Sequence, residues 1–194
     1  MNVCIGVRDS LGSAYYSRVT HAQTVSLKLR DLGDRMNRDN KNLNKAMARA
    51  LSGKGAHTEP GSVFAGLDWK VVSLRPDHVA HSLFQLLNHM VFWQDWVISW
   101  LDGTKPPTAS GSWRSSQGPA SRDEWERAVR RFPTGLDNLA SRSREADLFS
   151  TRGRTSQLDM LQTVASHNSY HTGQVVLLRR ILGAWPPETS GRGR

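Results

Sequence analysis

The sequence predicts an all-α protein: a four-helix bundle with long connections and an N-terminal extension. Three observations carry that prediction. Several stretches place apolar residues three or four positions apart, as helices with one buried face require. Those stretches are bounded by capping and stop residues, and strand-like alternation is nearly missing from the chain. At 194 residues the scale is one main domain with a substantial core. The expected organisation is an extension over 1–35, poorly ordered, a bundle over 36–187 and a flexible tail over 188–194.

From Met1 to Arg35 periodicity is weak, although Val19 to Leu32 is compatible with a short amphipathic helix. Met36 is a candidate natural start, an expectation that peptides from upstream of Met36 in the native protein would contradict. Asn40 to Leu51 reads as the first bundle helix, stopped by Ser52-Gly53. Gly53 to His81 reads as a long ordered connection. In the second helix Ser82 and Gln85 form a capping box, and Leu83, Leu86, Leu87, Met90, Val91, Val97 and Leu101 form a wide apolar face.

Thr104 to Ala120, rich in Gly, Pro and Ser, is expected to be loop, with Trp113 pinning it to the bundle. The third helix starts at Ser121, capped with Glu124. It carries Trp125, Val129, Phe132, Leu136 and Leu139 at helical spacing, with a kink expected at Pro133. The fourth begins near Thr155 or Ser156 and runs to Gly183, before Trp185-Pro186-Pro187.

Composition narrows the function classes. The chain is 38% hydrophobic and 22% charged, and no apolar run approaches the roughly 20 residues of a membrane span. No membrane association is expected. The first twenty residues lack the pattern of a secretory signal, so a cytoplasmic location is the default. A single cysteine, Cys4, excludes an internal disulfide. The net charge of +9 raises the question of an anionic partner. However, Arg122, Arg127, Arg130 and Arg131 alternate with Asp123, Glu124 and Glu126 as on a solvated helix face, and no nucleic-acid motif accompanies them. Nucleic acid is therefore not the expected partner.

The candidate chemistry lies in three histidines. His167 and His171 sit at i and i+4, so both imidazoles project from one face of the fourth helix. Alone, such a pair also fits two polar residues on an exposed face. The flanking Val164, Ala165, Val175 and Leu178 make burial without a partner costly. His89, in the middle of the other strongly apolar helix, is the natural third donor. His21, His57, His78 and His81 read as solvated, and Asp95 has the wrong helical phase to serve beside His89. Gln85, Trp93 and Gln174 share the histidine faces and are candidate supporting or substrate contacts; bundle packing is the competing reading for each. Gly173 reads as room for a crossing helix.

A mid-helix histidine in Leu86-Leu87-Asn88-His89, a tryptophan four residues on, and His167-x-x-x-His171 running into Gly173-Gln174 together resemble the DinB-like (DinB/YfiT) superfamily, named for damage-inducible bacterial proteins. The resemblance covers about Asn40 to Pro187. It implies an up-down-down-up bundle, a homodimer, and a divalent ion, zinc or nickel with iron and manganese as alternatives, on His89, His167 and His171. Better-understood relatives act as metal-dependent transferases on low-molecular-weight thiols.

The expectation is a metal-dependent transferase or hydrolase acting on a small-molecule substrate. The alternative is a non-catalytic, metal-binding stress-response module with an anionic partner. Three imidazoles leave a coordination position open, as in catalytic rather than structural zinc sites. Metal binding is expected to weaken as pH falls through about 6 to 6.5, the ordinary range of imidazole protonation.

Overall fold

The computed structural model describes residues 3–8, 14–19, 21–53 and 57–185. Its elements are β1 (Val3–Arg8), β2 (Ala14–Val19), α1 (His21–Ser52), α2 (Leu83–Leu101), α3 (Arg122–Glu145), β3 (Thr151–Arg152), β4 (Thr155–Ser156) and α4 (Gln157–Ile181). The chain divides into two compact units, Met1–Leu43 and Asn44–Arg194, with the division inside α1. The boundary expected after residue 35 also falls inside α1, and the tail expected over 188–194 lies outside the described residues.

In the first unit, β1 and β2 pair antiparallel, with Val3 opposite Val19 and Arg8 opposite Ala14. The sequence reading did not include this hairpin. Its signal is short: only Val3, Ile5 and Val7 alternate as β-branched residues before Arg8. Helix α1 is also longer than the Asn40 to Leu51 stretch that predicts it. Val25, Leu29, Leu32 and Met36 continue the three-to-four spacing back towards His21, across polar neighbours that dilute it.

The second unit is the bundle. Helix α2 packs against both α3 and α4. Leu83, Phe84, Leu87 and Met90 of α2 are fully buried among Phe132 and Leu136 of α3 and Val175 and Leu178 of α4. The connection between α1 and α2 belongs to this core through Val63, Phe64 and Val72. From the end of α1, Asn44 Nδ2 donates to the carbonyls of Arg144 and Ala146, where α3 ends with its own C=O groups unpaired.

Helices α2, α3 and α4 each start on a side-chain cap. Ser82 and Gln85 form a reciprocal capping box at α2, and Ser156 and Asp159 form another at α4. At α3, Ser121 Oγ accepts from the Glu124 backbone N–H, while the Glu124 carboxylate turns to the Ala120 N–H and to Arg114. The helix remains continuous across Pro133.

A close approach lies at the α2–α3 crossing. A Cβ at Gly135 would overlap Gln94 Oε1 and come within 3.1 Å of its Cδ. Gln94 is 1% exposed, so its amide has nowhere to swing. Gly135→Ala is expected to destabilise the protein by about 1–3 kcal/mol through overpacking. In a double-mutant cycle Gln94→Ala should recover most of that loss, because the clash is with this one side chain. Additive effects in thermal melts would show that the contact does not limit the crossing.

Candidate metal centre

Helices α2 and α4 bring His89, His167 and His171 together. One ligand atom from each lies within 4.8 Å of the other two, and His89 Nε2 is 3.1 Å from His167 Nε2. Nitrogens on a tetrahedral zinc sit about 3.3–3.4 Å apart, given bonds of roughly 2.0–2.1 Å. His89 and His171 are buried, at 5% and 6% exposure, and His167 is half-buried.

The surroundings fix two of the tautomers. His89 Nδ1 faces the Ser112 carbonyl at 3.1 Å, and a carbonyl can only accept, so Nδ1 carries the proton and Nε2 keeps its lone pair. His171 Nδ1 likewise donates to Gln174 Oε1 at 2.7 Å, leaving Nε2 free. Gln174 is held in turn by Tyr170, whose hydroxyl accepts from its Nε2. Second-layer bonds of this kind orient metal-binding histidines and raise their basicity. His167 Nδ1 is buried without a partner, as are both amide atoms of the adjacent Asn168. Imidazole nitrogens converging at Nε2 are costly for a metal-free core and suit a bound cation.

Burial is the main cause of depressed basicity throughout the group. It pushes His89 down to about 4; the Ser112 bond opposes this, and repulsion from His171 and His81 adds to it. His167 is also pushed down to about 4, by burial and then by repulsion from His171 and His89. Burial lowers His171 as well, against the bond to Gln174. His89 and His167 therefore stay neutral, as ligands must be, well below the pH range of free imidazole, and His171 is shifted in the same direction.

The linkage has a definite sign. Between pH 6.5 and about 4 the unfolded chain binds protons at His89 and His167 that the folded, metal-free protein does not. Metal-free stability should consequently be level above pH 6.5 and fall as pH drops through that window. For the same reason zinc should be retained at pH 5.5. Half-release near 6.5 in a chelator titration would show rings as exposed as free imidazole.

The loop ahead of α3 builds one wall. Trp113 lies between two imidazoles, stacked on His89 and on His81 with ring centroids 3.6 Å apart on each side and planes within 10°. The loop runs antiparallel to the start of α2: the carbonyls of Ser112, Arg114 and Gln117 accept from His89 Nδ1, Gln85 Nε2 and Ser82 Oγ respectively. Trp93 meets His89 and His167 edge-on, at 6.3 and 6.0 Å.

These contacts sort the remaining sequence candidates. Gln174 bonds a ring of the triad directly. Gln85 does not: its amide is divided between the Ser82 cap and the Arg114 carbonyl, so it supports the loop that holds His89. His81, read from sequence as solvated, is half-buried against Trp113. Asp95 pairs with Arg131 at 2.6 Å. A Cβ at Gly173 would meet nothing within 4 Å, so no crossing helix requires that glycine. Sequence reasoning missed the Ser112 carbonyl, Tyr170 and Asn168. A backbone acceptor leaves no side-chain signature; Asn168 and Tyr170 lie between the paired histidines, and Asn168 is a buried polar residue of α4.

Residues 65–193 match the sequence model of the DinB family, which takes in α2, α3, α4 and all three histidines. No curated protein matches the chain. No solved structure matches it either.

Proposed function

We propose that this chain, which belongs to the DinB family, holds a divalent metal ion on His89, His167 and His171 and serves as a metal-dependent transferase or hydrolase, with a low-molecular-weight thiol as the favoured nucleophile. The observation that carries the reading is the convergence of three imidazoles, those of His89 and His171 buried with tautomers set by Ser112 and Gln174 and that of His167 half-buried. Imidazole donors suit zinc and nickel, with iron as an alternative, whereas manganese favours oxygen donors. A metal held by three protein ligands supplies an open Lewis-acid position that favours thiolate or hydroxide near neutral pH.

The chain's own residues do the rest. Ser112 and Gln174 keep the Nδ1 protons in place, so His89 and His171 present lone pairs inward. Trp113 and Trp93 wall the rings with apolar surface, which limits water and strengthens electrostatic contacts inside. Within the histidine group there is no carboxylate among the described residues, so proton transfer by an acidic side chain is not part of the proposal.

Elemental analysis of native protein combined with a thiol-conjugation screen tests this reading. Roughly stoichiometric metal and saturable turnover, lost in His171→Ala, are the expected results. Stoichiometric metal without turnover, together with salt-sensitive binding to DNA or another polyanion, would favour the non-catalytic module suggested by the net charge of +9. A homodimer is part of the proposal and is read by sedimentation.

A further inference from the structure

A cavity of about 310 Å³ adjoins the histidine group along the C-terminal half of α4. Its walls include Leu86, Leu177, Leu178 and Ile181, and its polar lining includes His81 and Gln174. Leu86 and Leu178 are core residues, 3% exposed. Leu177 and Ile181, one helical turn apart, are 60% and 54% exposed, so both side chains are accessible at the mouth of the cavity.

The polar lining is tied to the metal centre. Gln174 Oε1 receives the His171 Nδ1 proton, and His81 covers the outer face of the indole that stacks on His89. The Gln174 amide still has one N–H and one lone pair beyond its bonds to His171 and Tyr170. Apolar walls with a few polar groups are the usual make-up of a small-molecule site, and the volume is at the small end of that class.

We propose that this cavity binds a small molecule with an aliphatic or aromatic arm and one polar end, the arm against Leu177, Leu178 and Ile181 and the polar end on Gln174. Binding rests on the cavity alone; identifying the ligand as the electrophilic substrate, which then carries an apolar arm, rests on the function proposed above. One imidazole ring separates Gln174 from the converging Nε2 atoms. Ligand and metal therefore share a partner, and each alters the other's affinity by the same factor.

The test titrates n-alkanols from butanol to octanol into the full chain, metal-free and zinc-loaded, following the Leu178 methyls and the Gln174 side-chain amide by NMR. Affinity should rise about fourfold per methylene until the cavity is filled. Leu177→Asn combined with Ile181→Asn, at positions the fold leaves exposed, should weaken hexanol binding at least tenfold with an unchanged circular dichroism spectrum. Affinity independent of chain length, shifts remote from Leu178 and Gln174, or wild-type binding by the double variant would overturn the site. Self-association that shuts the alcohol out would do the same. Equal hexanol affinity with and without zinc would overturn the coupling. Zinc uptake without an alkanol site sinks this proposal and leaves the metal reading standing; alkanol binding without zinc uptake does the reverse.

Discussion

Replacing His89 by alanine is expected to weaken zinc binding by about a hundred- to a thousandfold. Structural zinc sites with four ligands bind with roughly 10–16 kcal/mol, or about 2.5–4 kcal/mol per ligand, and the proposed site has only three. The substitution also frees the Ser112 carbonyl and removes one face of the Trp113 stack, so the loop should loosen together with the metal. Competition against a chromophoric chelator reads the affinity directly.

A companion variant separates ligation from packing. In the metal-free protein His167→Leu removes a buried nitrogen that has no partner, a group whose desolvation costs about 1–3 kcal/mol. It also takes the Nε2 partner at 3.1 Å away from buried His89, so the two changes offset: the variant should melt within a few degrees of wild type without metal and should lose the rise in Tm that zinc gives the wild type. If His167→Leu lowers the melting temperature of the metal-free protein as much as a core truncation does, His167 is an ordinary packing residue and the site loses its third ligand.

The second large effect is at Arg179, which no sequence argument singled out. Its side chain is 1% exposed, and its guanidinium donates from Nη1 to the carbonyls of Val63 and Ala65 and from Nε to Ala184. It ties the end of α4 to the connection before α2 and lies over the Trp185 ring. Arg179→Leu leaves three carbonyls without that donor, and a loss of about 3–5 kcal/mol is expected, on the order of 10 °C in Tm. Arg179→Lys should recover only part of this, because one ammonium cannot reproduce the planar fork. Melts of both variants with circular dichroism check the ranking; a Lys variant as stable as wild type would mean that charge, not geometry, is what the position needs.

The bundle and the convergence of its three histidines were legible because they depend on periodicity and residue type. Ser82 with Gln85, and the run from Leu83 to Leu101, announce α2 within its own span. His89 stood out as a polar residue on an apolar face, and the spacing of His167 and His171 placed both rings on one side of a helix. What was not legible depends on distant or backbone partners. Nothing near Arg179 in sequence indicates that its acceptors lie at residues 63 and 65. His81 looked like a solvated residue because its partner, Trp113, is in a loop whose path composition does not determine. The β1–β2 hairpin was too brief for its alternation to register.

The loop before α3 is latched at three rungs, residues 112, 114 and 117, onto side chains 89, 85 and 82. Such a ladder has a register. Over evolutionary time, or in an engineering library, insertions between Thr104 and Thr108 can be absorbed ahead of the first rung. A single residue added between Ser112 and Gln117 would put the wrong carbonyls opposite α2. Length variation in this segment should therefore be confined to one side of Ser112, and a peptide tag or reporter domain would be grafted there.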